Sequence, residues 1–205
     1  MLVMVGGHTR NIGKTSVVEG IIRELPEWNW TAVKITQFGH GVCSANGREC
    51  DCQAGMDHPY AISEERQPGR GDSRRFLAAG ARRAFWVRTA AGRLSEAVPA
   101  IRQLIDGSEN VIVESNSLVQ FVEPTLYVVV LDFTRVDFKA SSLRFLPRAD
   151  AVVVLETGAA TPLWPNVSAE LWQSKPRFAA RPPQYVAADM AAFVRGRLSS
   201  AGGKA

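Results

Sequence analysis

The sequence predicts an α/β fold in three layers, with a mostly parallel central sheet between helices. Short apolar runs alternate with amphipathic helical patterns along the whole chain, as in proteins built from strand–helix–strand units. Three of the runs are almost continuously apolar, which is typical of strands that are buried on both faces of a sheet. These runs are "NVIVES" at 110–115, "TLYVVVLDF" at 125–133 and "ADAVVVLETG" at 149–158.

The remaining elements follow from periodicity and from turn residues. Leu2 to Val5 predicts the opening strand, and residues 13–25 predict a helix that Pro26 ends. The later predictions, in chain order, are a strand at 31–36, a helix at 72–81, a strand at 84–87, a helix at 94–105 and a closing helix at 187–198. The segments that show little pattern are expected to be a long loop or insertion at 39–71, irregular chain at 161–183 and a frayed tail at 199–205.

Composition and charge limit the class of protein. A chain of 205 residues with 46% hydrophobic and 21% charged residues fits a single globular domain, here over 1–198. No apolar stretch reaches the roughly 18 residues that span a bilayer, and Gly6-Gly7 interrupts the first apolar run, so we expect a cytoplasmic protein with no membrane partner. Eight arginines lie within 66–93, but aromatic residues do not alternate with them as they would in a platform for single-stranded nucleic acid, which disfavours nucleic acid as a partner.

The stretch "GGHTRNIGKTS" at 6–16 directly follows the opening strand and ends as a phosphate-binding loop does. An ordinary loop of this kind has four residues between its two glycines, whereas five residues separate Gly7 from Gly13. The alternative is a plain strand–turn–helix connection that contains Gly-Lys-Thr by chance. Because a strand precedes the stretch and an amphipathic helix follows it, as the motif requires, we interpret it as a nucleotide cradle.

In this interpretation the loop binds the phosphates of a nucleoside triphosphate, either ATP or GTP. Gly13 permits close approach of the backbone, Lys14 reaches the β and γ phosphates, and the Thr15 hydroxyl binds Mg²⁺. The amides and the positive dipole end of the following helix add to phosphate binding. The predicted nucleotide-binding residues are Gly7, Thr9, Arg10, Asn11, Ile12, Gly13, Lys14, Thr15 and Ser16.

A nucleotide cradle of this kind needs a carboxylate at the end of a neighbouring strand, where it organises Mg²⁺ and its water. Glu114, which closes "VIVE", is the first candidate, and Asp132 is the second. Lys14 and Glu114 are therefore the predicted catalytic residues. The alternative for Glu114 is a strand-end glutamate that faces solvent. The nearest echo of a guanine-reading tetrad, "TRVD" at 134–137, is interpreted as chance, so the base stays open.

Three further residues are candidates for contact with a substrate. Lys34 lies near the end of the second predicted strand, where a side chain can project toward phosphates or substrate at the carboxyl edge of the sheet. A surface lysine is the alternative. Asp72 and Ser73, in "GDS", stand where they can approach magnesium or substrate, although capping of the following helix explains Asp72 equally well.

Two sets of motifs resemble known families. The loop "GHTRNIGKT" at 7–15 resembles that of dethiobiotin synthetases, Gly-Thr-Asp-Thr-x-Val-Gly-Lys-Thr. Those enzymes belong to a P-loop NTPase class with MinD-like ATPases, the metallocentre GTPases of hydrogenase and urease, and the molybdopterin-guanine dinucleotide biosynthesis protein B (MobB) family. "AVKITQFGHG" at 32–41 and "PGRGDSRRFLAAGARRAFWV" at 68–87 resemble blocks of the MobB family. That resemblance covers residues 1–155 and places the family's strand-end glutamate at Glu114.

The resemblance implies a P-loop NTPase fold and Mg²⁺-dependent binding and slow hydrolysis of a nucleoside triphosphate. It also implies a nucleotide-dependent adapter in molybdenum cofactor nucleotide attachment, or in a related metallocofactor pathway, together with a protein partner. The resemblance also leaves open whether the protein forms a homodimer. The alternative is an ATP-dependent ligase of the dethiobiotin synthetase kind, which would phosphorylate a small carboxylate held by Lys34 and arginines.

All three cysteines of the chain fall within the long loop, with a histidine on either side. The spacing is His40-x2-Cys43-x6-Cys50-x-Cys52-x5-His58. Three thiolates and a histidine, His40, fit Zn²⁺, and soft ligands also suit an iron–sulfur cluster. The alternative is three free cysteines, because the spacing matches no common zinc finger. A metal-binding module without nucleotide turnover is therefore a third hypothesis.

Overall fold

The computed structural model describes residues 1–39 and 58–203. Within these residues eight strands form one sheet in the order β3-β4-β2-β5-β1-β6-β7-β8. Every neighbouring pair is parallel except β3 and β4, which are antiparallel. The strands are β1 Leu2–Gly7, β2 Thr31–Phe38, β3 Tyr60–Glu64, β4 Arg83–Ala90, β5 Val111–Glu114, β6 Leu126–Asp132, β7 Ala151–Leu155 and β8 Arg177–Ala180.

Helices cover both faces of the sheet. They are α1 Lys14–Glu24, α2 Asp72–Ala78, α3 Leu94–Asp106, α4 Ala140–Phe145, α5 Glu170–Gln173 and α6 Ala188–Gly202. Residues of α1, α2 and α6 belong to the hydrophobic core on one face, and residues of α3, α4 and α5 belong to the core on the other. The predicted three-layer α/β architecture with a mostly parallel sheet is confirmed.

The central strand shows why the apolar runs are continuous. In β1, Val3 and Val5 face the core that contains α1, whereas Leu2 and Met4 face the core that contains α3. Successive side chains of a strand point to opposite faces, so a strand that is covered by helices on both sides must be apolar at every position. The same explanation holds for β6, which is buried along its whole length.

Several details differ from the sequence prediction. The expected loop at 39–71 contains β3, a half-buried edge strand, and the irregular segment at 161–183 contains α5 and β8. These elements are short and bury only part of their side chains, so their sequences show no clear hydrophobic periodicity. The closing helix is predicted to end before a frayed tail that starts at residue 199, whereas α6 continues to Gly202. No helix among the described residues is both long and apolar enough to cross a membrane.

The topology places several loops at one edge of the sheet. Strand β1 lies between β5 and β6, and β2 lies on the other side of β5. Because these strands are parallel, the segments that follow them all emerge at their carboxyl ends, where ligands bind in open α/β sheets. The loop of interest, residues 8–13, follows β1 at that edge.

Candidate functional site

The loop between β1 and α1 depends on its second glycine. Gly13 has φ +82°, which is in the left-handed region, and it immediately precedes α1. A Cβ atom at this position would lie only 2.4 Å from Cε1 of Tyr185. Both the backbone conformation and the close approach of the tyrosine ring therefore require glycine.

His8, which lengthens the loop by one residue, is completely buried. Its Nε2 accepts a hydrogen bond from the backbone N–H of Asp132 at 3.0 Å, and its Nδ1 lies 3.0 Å from the backbone oxygen of Asp137. This arrangement fits a neutral imidazole that carries its proton on Nδ1. Burial lowers the pKa of His8 to about 4. The extra residue thus packs away from the cleft, between Phe138 and Trp164.

Asn116, two residues beyond the end of β5, anchors the start of the loop. Its Oδ1 accepts the N–H of Gly7 at 2.7 Å, and its Nδ2 donates to the carbonyl of Gly7 at 2.8 Å. Ser142, in α4, donates a further hydrogen bond to the same carbonyl at 2.7 Å. Three side-chain hydrogen bonds therefore fix both polar backbone groups of Gly7, the first glycine of the motif, at the start of the loop.

A cleft of about 720 Å³ lies beside the loop at the carboxyl edge of the sheet. Basic side chains outnumber acidic ones along it. The basic residues are Arg10, Lys14, Lys34, Arg75 and Lys139, and the acidic ones are Asp72 and Glu114. Residues 10–16 also line the cleft. A concave site with this excess of positive charge attracts anions.

Lys14, the first residue of α1, is half-buried in the cleft. Its Nζ donates to the backbone oxygen of Thr9 at 2.7 Å. Burial, together with the neighbouring ammonium groups of Lys34 and Lys139, lowers the pKa of Lys14 to about 8, although the carboxylate of Glu114 acts in the opposite direction. A bound anion would favour the charged form and raise this pKa again. A phosphate bound next to Lys14 would therefore stabilise the charged form of its ammonium group.

Three oxygens from three elements surround the ammonium group of Lys34. The Thr15 hydroxyl donates to Oε2 of Glu114 at 2.8 Å. Nζ of Lys34 lies 2.5 Å from Oε1 of Glu114, 3.2 Å from the Thr15 hydroxyl and 3.0 Å from Oδ2 of Asp72. The contact arises because Lys34 and Glu114 are paired residues in the β2–β5 ladder. One hydroxyl and two carboxylates are the oxygen donors that Mg²⁺ prefers, so the residues fit this ion.

Several predicted site residues come together, and others do not. Lys14, Thr15, Lys34, Asp72 and Glu114 all line the same cleft. Glu114 is buried, which rules out the solvent-facing alternative. Of the predicted nucleotide-binding residues, Arg10, Asn11, Ile12, Gly13, Lys14, Thr15 and Ser16 line the cleft, whereas Gly7 and Thr9 do not.

Two candidate residues have other contacts. Ser73 is buried and donates a hydrogen bond from its hydroxyl to Oε1 of Glu65 at 2.5 Å, so its side chain turns away from the cleft. Asp132, the second carboxylate candidate, is also buried, and its Oδ1 accepts hydrogen bonds from the N–H and the hydroxyl of Thr134. Asp72 does not cap α2, since that helix has no side-chain cap and Asp72 pairs with Lys34 instead.

Sequence reasoning missed several residues of the cleft, among them Arg75, Lys139, Asn116 and Tyr185. Arg75 donates to the carboxylate of Glu19 and to the hydroxyl of Ser16, at the start of α1. Lys139, Asn116 and Tyr185 line the cleft from segments that follow β6, β5 and β8. The parallel topology alone points to the first two of these segments, whereas nothing in the sequence connects Tyr185 with a loop at residue 13.

Among the described residues, half of the eight arginines between residues 66 and 93 are paired with acidic side chains. Each of these four forms an ion pair with a glutamate. The pairs are Arg74–Glu65, Arg75–Glu19, Arg83–Glu64 and Arg93–Glu96.

The cysteine cluster, defined as His40, Cys43, Cys50 and Cys52, lies outside the described residues. His58 is described and is exposed. Within residues 1–39 and 58–203 there is no group of three or more His, Cys, Asp and Glu side chains that could hold a metal. The hypothesis of a Zn²⁺ or iron–sulfur site therefore stays a prediction.

Comparison with known proteins identifies the fold. HypB from Helicobacter pylori, solved in complex with nickel, is similar with a TM-score of 0.53 at 12% identity, over 97% of this chain and 85% of HypB. LpxK from Aquifex aeolicus, solved in complex with ATP, has a TM-score of 0.48 at 16% identity, over 87% of this chain and 53% of LpxK. No protein-family model and no curated protein matches the sequence.

The sheet and its relation to HypB define a P-loop NTPase fold, as the sequence predicts. At 12% identity the likeness concerns the fold alone. The resemblance to the MobB family in particular rests on the sequence blocks at 32–41 and 68–87, and no comparison adds support for it.

Proposed function

We propose that this protein binds a nucleoside triphosphate together with Mg²⁺ and hydrolyses it slowly. The observation that carries the proposal is the bond between the Thr15 hydroxyl and Glu114, beside the ammonium group of Lys14. A hydroxyl from the start of α1 and a carboxylate from the end of β5 meet where a metal on the β and γ phosphates would lie. An incidental Gly-Lys-Thr would not need a buried carboxylate at this point.

Residues 10–16 would bind the phosphates. Their backbone lines the cleft where α1 begins, and the free amides and positive dipole end of a helix favour an anion there. Lys14 would add its ammonium group to the β and γ phosphates. The fixed positions of Gly7 and His8 leave these amides preorganised, so little reorganisation is needed when the phosphates bind.

Thr15 and Glu114 would hold Mg²⁺, Glu114 partly through water. When bound, this ion would neutralise charge on the transferring phosphoryl group. Lys14 would neutralise further charge, and no side chain of the cleft needs to form a covalent bond. Catalysis would then come from position and electrostatics, in agreement with slow turnover.

The nucleoside would extend toward Tyr185. A second cavity of about 610 Å³ lies next to the first, and Ser16, Arg75 and Tyr185 line both. It is bounded by one side of α1 from Ser16 to Glu24 and by residues 182–186, which follow β8. The tyrosine ring and the neighbouring prolines offer flat apolar surfaces to a base. They do not distinguish adenine from guanine, so we propose ATP or GTP.

The proposed role is that of a nucleotide-dependent adapter in molybdenum cofactor biosynthesis or a related metallocofactor pathway. The sequence blocks at 32–41 and 68–87, which resemble the MobB family, support this role. A protein partner and a homodimer belong to the same proposal. The cysteine cluster would suit the metal chemistry of such a pathway through its soft ligands.

A ligase of the dethiobiotin synthetase kind is a second candidate, and Lys139 favours it. Lys139 is half-buried in the cleft, where burial and the neighbouring Arg10 lower its pKa. A carboxylate placed in the cleft would reverse that shift and gain an ion pair. Lys34 also lies in the cleft and could contribute to such a subsite.

Calorimetric titration with ATP and GTP, each with and without Mg²⁺, tests nucleotide binding. We expect saturable binding of at least one nucleotide that strengthens with Mg²⁺. Absence of saturation with either nucleotide would contradict both the adapter and the ligase, and would leave the metal-binding module. Phosphate release with and without a panel of small carboxylic acids then separates the first two, because only the ligase predicts a sharp acceleration.

A further inference from the structure

We propose that Lys34 holds the metal position of the nucleotide-free protein with its own ammonium group, and that Asp72 is a third protein oxygen at that position. This inference rests on the proposed function of the same cleft. It adds a residue that excludes the metal until nucleotide arrives, and it adds a carboxylate to Thr15 and Glu114.

The geometry around Nζ of Lys34 carries the proposal. An ammonium group has three N–H donors, and three oxygens lie within 3.2 Å of this one, from Glu114, Asp72 and Thr15. The oxygens come from β5, α2 and α1, so nothing in the local sequence brings them together. Mg²⁺ selects carboxylate and hydroxyl oxygens of the same kind, at about 2.0–2.1 Å. The ammonium group therefore occupies the centre of a set of metal ligands.

Burial explains why a cation must be present at this point. The side chains of Glu114 and Lys34 are only 5% and 14% exposed, whereas that of Asp72 is 54% exposed. A buried carboxylate without a counter-charge is strongly destabilising. Lys34 supplies the counter-charge to Glu114 in the free protein. The exposed Asp72 lies toward solvent, where an entering ion would meet it first.

The nucleotide would change this balance. Phosphate oxygens next to Lys14 would offer a new acceptor for the ammonium group of Lys34. Lys34 would then leave Thr15 and Glu114 by rotation of its flexible side chain, with no movement of β2. Metal and nucleotide would bind together for this reason. Nucleotide alone would draw Lys34 away and leave Glu114 without a counter-charge, and metal alone would meet the ammonium group of Lys34. The alternative is a structural ion pair that keeps its contacts in every state.

The experiment measures binding of Mn²⁺ alone, by electron paramagnetic resonance of the free ion, to nucleotide-free protein. Wild type is expected to bind Mn²⁺ weakly. Lys34→Met removes the ammonium group but keeps a chain of similar length, and should tighten Mn²⁺ binding at least tenfold. Lys175→Met is the matched control, because it removes a half-buried ammonium group outside the cleft that touches none of the three oxygens, and it should change the affinity by less than threefold.

A double variant tests the role of Asp72. Adding Asp72→Asn to Lys34→Met should remove most of the gained Mn²⁺ affinity, since one ligand loses its charge. Circular dichroism of each variant checks that the fold is kept, and Lys34→Gln replaces Lys34→Met if the latter does not fold.

Equal Mn²⁺ affinity of wild type and folded Lys34 variants would overturn the proposal, as would a gain of the same size in Lys175→Met. Either result would indicate a structural ion pair or a general effect of charge. The titration of wild type with nucleotide is a separate measurement, so the proposal that the protein binds a nucleoside triphosphate can hold even if the proposal for Lys34 is wrong.

Discussion

Gly13→Ala is the sharpest structural perturbation of the loop, because two costs act at one position. The residue has φ +82°, where a side chain costs about 1–2 kcal/mol. In addition, the new methyl group would lie 2.4 Å from Cε1 of Tyr185, which forces the ring to move. Overpacking of this kind costs about 1–3 kcal/mol more. We expect a total loss of about 2–5 kcal/mol of unfolding free energy.

Gly92→Ala is the matched control. Gly92 has φ +81°, almost equal to the φ of Gly13, but an added Cβ would meet no atom within 4 Å. This variant should lose only the backbone term, about 1–2 kcal/mol. The difference between the two variants therefore isolates the contact between Gly13 and Tyr185.

Urea unfolding gives the two free energies, and nucleotide titration gives the functional effect. Gly13→Ala should also weaken nucleotide binding strongly, because it displaces Tyr185 and alters the backbone that lines the cleft, whereas Gly92→Ala should bind as wild type does. Equal destabilisation by the two variants, together with unchanged nucleotide binding in Gly13→Ala, would refute the reasoning.

Three further predictions concern charge and metal. The folded state lowers the pKa of His8 from 6.5 to about 4, so the unfolded chain binds this proton more tightly. About 3 kcal/mol of the stability that is present above pH 6.5 should therefore be lost as the pH falls to 4. Urea unfolding of His8→Gln should show a shallower pH dependence over this window. Glu114→Gln should reduce the strengthening of nucleotide binding by Mg²⁺ at least tenfold in calorimetry, while binding without Mg²⁺ changes little. Protein purified without chelator should contain close to one equivalent of zinc, or of an iron–sulfur cluster, by elemental analysis if the cysteine cluster is a metal site; less than one tenth of an equivalent would eliminate that site.

The sequence predicts the centre of the sheet better than its edges. Strands such as β6 are buried on both faces, so their composition alone reveals them. In contrast, β3 and β8 lie at the two edges, bury only part of their side chains and carry no clear alternation. Their positions depend on pairing with β4 and β7, which is a long-range property that no local pattern encodes.

The candidate site divides in the same way. Lys14, Thr15 and Glu114 are predictable because a motif and the end of a strand mark them. The contact between Lys34 and Glu114 follows from the register of β2 and β5, which the sequence does not determine. Tyr185 belongs to an irregular segment far along the chain, and its place against Gly13 depends on the whole fold. His8 looks like a departure from the motif, yet burial explains why the longer loop is tolerated.

The central claim is that the loop after β1 binds a triphosphate through its backbone and Lys14. Calorimetric titration of Lys14→Ala, compared with Lys175→Ala, tests it most directly. Lys175 also donates to backbone oxygens, those of Pro147 and Ala149, but it does not line the cleft. We expect Lys14→Ala to weaken binding of the Mg²⁺–nucleotide complex about 100-fold, the equivalent of about 3 kcal/mol for a charge-assisted hydrogen bond, and Lys175→Ala to bind as wild type does. Equal affinity of both variants and wild type would contradict the account.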